Sequence, residues 1–424
     1  MIRTITMLKA DSRISDWKLN IHRRESYELF FVKEKLDCVR RTDTTNNRVT
    51  VYVDNEGFRG DAMFYIYPAS TEEEREALID SAVSRARLVK NAPYTLPAGG
   101  EEKYIIESNF SEYDPIELAK TIASEVFASN KTETAAINSL EVFVTKHHEE
   151  IINSAGISKS QVHYDAMVEA IPTFNGESQS VELYEQYNFS ILDIPALREE
   201  ISGKMAEVKA RSEALTPEVS PSCPVILNKA ELSQLFRTMV ADLDYAQVYY
   251  SSNLYKKGDK IQPEGSGDRI GITLKGEIAG SCRSSRFDMD GITLGALRVI
   301  DKGAVAAYHG SNKFAQYIGE EPSGDLPCME LDPGSTPPAR FCEGPYLEII
   351  SMSGLQVDFY NDYIGGEIRL AYYNDGTAVT PLTGISVSGK LSEVLAEITL
   401  SSGRALCGGY FGPEKALIKN MKIF

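Results

Sequence analysis

The sequence lacks the local patterns of several common functional sites. Its six cysteines are scattered without a CxxC pair, which argues against a zinc ribbon and against a disulfide framework. Its five histidines form no cluster along the chain, and it has no GxSxG, GxGxxG or complete EF-hand sequence. The usual signatures of α/β-hydrolases, dinucleotide-binding folds and calcium loops are therefore missing.

Long apolar runs and an excess of positive charge are also missing. No run approaches the roughly 18 apolar residues of a spanning helix, and the first residues show no apolar segment followed by a cleavage site. We therefore expect a cytoplasmic protein without membrane contact. Lys and Arg number 44 against 61 Asp and Glu, a net charge of −17, so direct binding to nucleic acid is not expected.

The composition is that of a folded globular protein. Hydrophobic residues make up 42% and charged residues 25% of the 424 positions, and two or three domains are expected for this length. Ser70 or Thr71 can cap a helix that ends before Pro93, and Asp114-Pro115 opens another. Residues 195–215 have a polar helical pattern. The predicted strands are residues 27–37, 48–53, 138–146, 161–171 and 181–192.

The best domain boundary lies at residues 215–224 (LTPEVSPSCP), where three prolines fall within a short stretch. Asn228 then caps one more helical pattern, and the chain beyond about residue 269 consists of short apolar runs separated by Gly, Asp or Pro. We therefore predict an α+β fold of two domains. Residues 1–215 form a mixed α/β amino-terminal domain, and residues 222–424 form a β-rich carboxyl-terminal domain.

Two partial motifs favour structural interpretations. The run from His147 to Glu150 (HHEE) begins like the HExxH helix of zinc proteases, but positions 152 and 153 hold Ile and Asn, so a solvated strand is favoured. Residues 384–390 (GISVSGK) match most of a phosphate-binding loop. Leu391 stands where the Ser or Thr that binds magnesium is required, so a strand-to-helix turn is favoured.

Pairs of acidic residues could in principle serve acid/base chemistry or hold a cation. In a chain this acidic such pairs also arise by chance, so they do not by themselves identify a site. The pairs are Asp242 with Asp244, and Asp288 with Asp290.

Several phrases, taken in order, resemble the TldD/PmbA family, whose older name is modulator of DNA gyrase. Residues 286–291 (RFDMDG) resemble its Asp-x-Glu-Gly turn, and residues 325–335 (DLPCMELDPGS) resemble a segment that carries Pro-Gly. Residues 365–398 resemble its carboxyl-terminal block, which includes the false phosphate loop. Residues 27–53 and 149–156 resemble the opening strands and an Asn-Ser-x-Gly turn, so the resemblance spans nearly the whole chain.

The resemblance also implies where a metal site would lie. In the proteolytic branch of the family, a helix carries HExxxH and a cysteine near the carboxyl terminus completes the zinc site. Matching Leu235 and Phe236 to the apolar pair before the motif places Arg237 and Thr238 at His-Glu and Asp242 at the second His. Cys407 matches the ligand cysteine, but a packed hydrophobic role is favoured for it.

Loss of this motif is the pattern of the TldE-like branch. The resemblance therefore implies a non-catalytic subunit that pairs with a TldD-type metalloprotease or with itself and helps to enclose a peptide. No cofactor is expected. Two alternatives remain open at this stage. The first is an active hydrolase that uses Asp242, Cys407 and His309 around a cation such as zinc in an atypical site. The second is a modulator of DNA gyrase that contacts protein rather than DNA.

Overall fold

The computed structural model describes residues 2–128, 135–176 and 180–424. It has the predicted α+β architecture, with three sheets of 8, 6 and 9 strands. The helices are α1 (Ile2–Ala10), α2 (Glu72–Ala86), α3 (Pro115–Ala128), α4 (Ile194–Glu213), α5 (Lys229–Ala241), α6 (Tyr245–Tyr249), α7 (Asn312–Ile318) and α8 (Leu391–Glu397). No helix within the described ranges combines the length and the apolar character that a membrane span requires.

The first sheet is formed by the amino-terminal half of the chain, in the order β3-β2-β1-β5-β6-β4, with β7 and β8 also paired to β6. The predicted strand at residues 27–37 is wrong in one respect, because a turn with Lys33 at a φ of 55° divides it between β1 and β2. These strands are β1 (Asp16–Val32), β2 (Lys35–Asn55), β3 (Phe58–Ile66), β4 (Glu101–Ile105), β5 (Ala135–Asn153), β6 (Ser158–Asn175), β7 (Ser180–Glu182) and β8 (Glu185–Phe189).

Helices α1 to α4 supply the apolar cover of one face of this sheet. At the start of α2 the Thr71 hydroxyl accepts a hydrogen bond from the Glu74 backbone N–H, and the Glu74 carboxylate accepts one from the Thr71 backbone N–H. This capping box fixes the predicted helix start. Alternate strand residues such as Leu19, Val142 and Val168 are buried in the clusters that include these helices. Because side chains alternate along a strand, their neighbours lie on the opposite face.

That opposite face is polar and packs against the second half of the chain. Lys18 forms an ion pair with Asp290, and the Lys159 ammonium donates to the Thr293 hydroxyl. The Arg286 backbone N–H donates to the side-chain oxygen of Gln161 over 2.9 Å. Hydrogen bonds and ion pairs along this face therefore join the two halves of the chain, together with a small apolar cluster that includes Ile151, Ile157 and Phe287.

The carboxyl-terminal half contains the other two sheets, in the orders β12-β11-β10-β13-β21-β20 and β19-β22-β9-β14-β16-β18-β23, with β15 and β17 paired to β16. The strands are β9 (Val225–Asn228), β10 (Ile272–Lys275), β11 (Ala296–Asp301), β12 (Ala304–Val305), β13 (Cys328–Leu331), β14 (Tyr346–Met352), β15 (Gln356–Asp358), β16 (Tyr363–Asn374), β17 (Val379–Leu382), β18 (Ile385–Lys390), β19 (Thr399–Leu400), β20 (Arg404–Cys407), β21 (Tyr410–Pro413), β22 (Lys415–Ile418) and β23 (Lys422–Ile423).

One continuous apolar core lies between these sheets and encloses α5. Leu235, Phe236 and Met239 of α5 are fully buried in it together with residues of both sheets. The predicted helical pattern from Asn228 onward is interrupted, because the residues from Asp242 to Asp244 separate α5 from the short α6. The Asp244 side chain accepts from the Ala246 N–H, so it begins a new helix at this point.

Candidate functional site

Helix α5 holds the residues that match the family's metal motif. Leu235 and Phe236 are inaccessible to solvent, and the helix packs against β9, β20, β21 and β22. This packing fixes the direction of the side chains that follow. Arg237 therefore lies close to the turn between β20 and β21, the turn that follows Cys407.

The guanidinium of Arg237 stands beside Gly409 in this turn. A Cβ added at Gly409 would lie 2.9 Å from Nη2 of Arg237 and 3.0 Å from Cδ of Arg283. Burial lowers the pKa of Arg237, and the nearby charge of Arg283 lowers it further. Among the described residues, its one side-chain hydrogen bond is weak, with Nε donating to the Ser233 hydroxyl over 3.3 Å. The first motif position thus holds a fixed positive charge.

Thr238 and Asp242 make local hydrogen bonds to the backbone. The Thr238 hydroxyl donates to the Gln234 carbonyl one turn earlier, over 3.0 Å. The Asp242 carboxylate accepts from the backbone N–H groups of Leu254, at 2.8 and 3.1 Å, and of Tyr255, at 3.1 Å. The Asp242 contacts hold the loop after α6 in place, and the Thr238 contact lies within α5, so both side chains have structural roles.

Cys407, at the end of β20, is half-buried. Burial raises the pKa of its thiol, and the charges of Lys229 and Arg237 only partly oppose this. Burial also raises the pKa of the Cys328 thiol. Since the thiolate is the form that binds metal and attacks carbonyl groups, neither cysteine is activated by its surroundings.

His309 lies in the chain segment that packs beside α5. Its Nε2 is 3.1 Å from the Val240 carbonyl oxygen, and its backbone N–H and C=O bond to Leu243 and Tyr245. Burial lowers its pKa, which favours the neutral imidazole. His309 therefore ties the end of α5 to the segment that carries it.

These residues do not fit a zinc site. Across the described parts of the chain, no group of three or more His, Cys, Asp or Glu side chains is arranged to hold a metal ion. Zinc in such enzymes takes three protein ligands of these types, whereas here a guanidinium stands next to the matching cysteine. The expectation that no metal is bound stays a prediction, since no metal analysis bears on it.

A cavity of about 420 Å³ lies between the polar face of the first sheet and the loops of the second half. Strands β1, β5 and β6 form one wall, and Arg283 lies in the opposite wall. Its four carboxylates belong to Glu149, Glu150, Asp288 and Asp325. Its lining also includes Asn20, His22, Gln161, His163, Cys282, Ser284, Ser285, Phe287, Leu294 and Pro327.

Three histidines meet at the edge of this cavity, which no sequence pattern indicated. Nε2 of His22 lies 2.9 Å from Nδ1 of His147, and Nε2 of His147 lies 2.9 Å from a carboxylate oxygen of Asp165. The rings of His147 and His163 stack with centroids 4.3 Å apart. We call His22, His147, His163, Glu149 and Asp165 the histidine row. Strand pairing brings its members together from β1, β5 and β6.

The histidine row corrects one interpretation of the sequence. The HHEE segment lies on a strand, as predicted, but its His147 is only 6% exposed. Burial of Glu149 raises its pKa, but hydrogen bonding and the charge of His163, together with contacts from Gln161 and His22, lower it more, to about 2. Glu149 is therefore an anion at neutral pH, and the row is a polar network rather than a solvated edge.

The remaining acidic pair in this region has a structural role. Oδ1 of Asp288 accepts from the backbone N–H groups of Asp290 and Ile292, both at 2.9 Å, which closes the turn before β11. Asp290 forms the ion pair with Lys18. Burial and neighbouring carboxylates raise the pKa of Asp325 to about 6, so this carboxyl group takes up a proton as the pH falls below neutrality.

The false phosphate loop is a strand-to-helix turn. Residues 385–390 form β18, which pairs with β16 along its length, and α8 starts directly after Lys390. The Lys390 ammonium lies 3.1 Å from Glu393 in the first turn of α8. The backbone N–H groups that would cradle a phosphate are thus used in a sheet.

Comparisons with known proteins agree with this geometry. Residues 220–424 match the family described as PmbA/TldA metallopeptidase C-terminal domain. The whole chain is similar to the crystal structure of TldE from Thermococcus kodakarensis, with a TM-score of 0.81, 15% identity and coverage of 100% of this chain and 99% of that one. No curated protein matches by sequence.

Two further solved structures have the same fold. One is a candidate modulator of a DNA gyrase from Thermotoga maritima MSB8, with a TM-score of 0.79 at 15% identity, and the match covers 100% of this chain and 99% of that one. The other is a candidate modulator of DNA gyrase from Bacteroides thetaiotaomicron VPI-5482, with a TM-score of 0.78 at 15% identity and coverage of 100% and 97%. At this identity the likeness establishes the fold.

Proposed function

Because this chain belongs to the TldD/PmbA family, we propose that it is a non-catalytic subunit of a peptide-processing assembly. It pairs with a TldD-type zinc metalloprotease, or with a second copy of itself, and helps to enclose the peptide. The observation that carries this proposal is the position of Arg237, whose guanidinium lies beside the turn that follows Cys407, where the family's zinc site would be completed.

Zinc-dependent hydrolysis of a peptide requires three ligands, an open position for water and a general base. At the matching positions this chain has Arg237, Thr238 and Asp242, and the last two are engaged with backbone groups. A positive guanidinium repels a divalent cation at short range. These contacts support a subunit that has the family fold without the zinc ligands and the general base of the motif.

The preserved fold supports a partnership with a TldD-type subunit or with a second copy of this chain. The likeness to TldE from Thermococcus kodakarensis covers the full chain, although the motif residues have been replaced. A surface that accepts a related subunit can also accept a copy of itself in a two-fold dimer. We expect a total buried interface above about 2,000 Å² if the assembly is obligate.

The two alternative functions have less support. An active hydrolase built from Asp242, Cys407 and His309 would need these groups to converge, but Asp242 bonds to backbone N–H groups and His309 to the Val240 carbonyl. A modulator of DNA gyrase has support in two similar structures, which are described as candidate modulators of DNA gyrase. With a net charge of −17, such a protein would contact gyrase rather than its DNA.

Co-expression tests the subunit proposal. We expect this chain and a HExxxH-bearing homologue from the same genome to copurify as a mixed dimer that cleaves unstructured peptides, with zinc in the homologue alone. The matched control is the same pair with the homologue's glutamate in HExxxH replaced by Gln, which should assemble without activity. A chain that binds zinc tightly and cleaves peptides alone, with chelator-sensitive activity, would contradict the proposal. Absence of both complex and activity would favour the gyrase alternative.

A further inference from the structure

Two arginine side chains near Gly409 have no acidic partner in the part of the chain that the structure describes. Among the residues that the structure describes, the Arg283 side chain makes no hydrogen bond or ion pair, and Arg237 contacts only the Ser233 hydroxyl. Both side chains approach Gly409, because a Cβ at this position would contact Nη2 of Arg237 and Cδ of Arg283. Arg283 also lines the cavity between the two halves.

This arrangement differs from that of arginines elsewhere in the protein. Buried Arg59 is paired with Asp16 and Asp54, and partly exposed Arg404 is paired with Glu330. With 61 acidic residues in the chain, a counter-charge is rarely far from a guanidinium. Within the described ranges, these two guanidinium groups without an acidic partner, Arg237 half-buried and Arg283 exposed, therefore form a site that can take a negatively charged ligand.

We propose that Arg237 and Arg283 bind the terminal carboxylate of a peptide that lies in the cavity. The peptide as ligand rests on the proposed function, whereas the binding of an oxyanion rests on the arginine pair alone. The fork of a guanidinium matches the two oxygens of a carboxylate. The subunit would thus hold one end of the chain that its partner cleaves.

The cavity favours a carboxylate over a phosphate. Glu149, Asp288 and Asp325 line it together with Arg283, and a phosphate dianion would be repelled by these carboxyl groups. A peptide carboxylate has a single charge, and the amide N–H groups that precede it can donate to the same carboxyl groups. The carboxyl-terminal end of a peptide can therefore interact with both the arginines and the carboxyl groups of the site.

Gly409 leaves the space that this contact needs. A Cβ at this position would also lie 2.8 Å from the Pro327 carbonyl oxygen, which is closer than side-chain carbons approach such atoms. A larger residue would displace Arg237 or the turn itself. The absence of a side chain at Gly409 is therefore part of the site.

Fluorescence anisotropy with two matched peptides tests the proposal. The probes are one short alanine–glycine peptide, labelled at its amino terminus, with either a free carboxylate or a carboxyl-terminal amide. We expect the full chain to bind the free acid at least about tenfold more tightly, the effect of one charge-assisted hydrogen bond. Arg237→Gln and Arg283→Gln should each remove this preference. Arg286→Gln is the matched control, because Arg286 is exposed and paired with Glu277, and it should keep the preference.

Equal affinity for the two peptides would overturn the proposal, as would a preference that survives in both variants. Inorganic phosphate is the competitor. Failure of phosphate to displace the peptide supports a peptide site, whereas displacement at similar concentrations would overturn it in favour of a phosphate site. The assay uses this chain alone, so a preserved acid preference without any complex in co-expression would reject the subunit proposal and leave the arginine site standing.

Discussion

Glu149→Gln removes the negative charge from the histidine row while it keeps the shape of the side chain. The contacts of Glu149 lower its pKa from 4.5 to about 2, and at about 1.4 kcal/mol per pKa unit this is at most about 3 kcal/mol of stability. Its side chain is 34% exposed, so solvent screening reduces the effect to about 1–2 kcal/mol. We expect the variant to be less stable by that amount at neutral pH.

The pH dependence follows from the sign of the shift. The folded pKa lies below the unfolded one, so the stabilisation is present above the unfolded pKa of 4.5 and is lost as the pH falls toward about 2. Urea unfolding of the wild type and the variant should therefore show a difference near pH 5 that becomes smaller as the pH falls toward about 2. A variant as stable as the wild type, or a difference that does not change with acidification, would refute this reasoning.

Two further predictions concern the core and the boundary. Phe236→Ala should lower the free energy of unfolding by about 3–5 kcal/mol, because Phe236 is fully buried. Thr238→Ala on the same helix is the control and should change the free energy of unfolding by less than about 1 kcal/mol. Equal effects of the two substitutions in urea unfolding would contradict the packing of α5. Limited proteolysis should cut first within residues 215–224, where Val219 is 84% exposed, and leave two fragments that stay associated, because α4 packs against β16 and β17. Early cleavage elsewhere, with this segment intact, would count against the boundary.

The sequence predicts helices more accurately than strand pairing. Helix α2 is recognisable because its capping residue and its acidic first turn are local in sequence. Helix α3 starts at Pro115, as Asp114-Pro115 predicted. The turn at Lys33 was missed because a positive φ at a lysine has no sequence signal, whereas the Glu56-Gly57 turn between β2 and β3 contains the glycine that such a turn favours.

The histidine row could not have been predicted in the same way. His22 lies 125 residues before His147, and the two meet only because β1 pairs with β5 in one particular register. A shift of one residue in that register would turn His22 to the helix-covered face. Alternating polar residues in three strands indicate that a polar face exists, but the order of the strands decides which side chains meet on it. The arginine pair depends in the same way on the position of the β20–β21 turn.

Helix α5 explains how a chain can lose a metal motif and keep its fold. The residues that specify the position of the helix, Leu235, Phe236 and Met239, belong to a core shared by both carboxyl-terminal sheets. Arg237 and Thr238 are only partly buried and contribute little to that core, so replacing them leaves most of the burial energy unchanged. A metal ligand set is thus separable from the scaffold that carries it. On the subunit proposal, the contribution of this scaffold lies in its surfaces and its cavity, which are the features that the co-expression and peptide-binding experiments test.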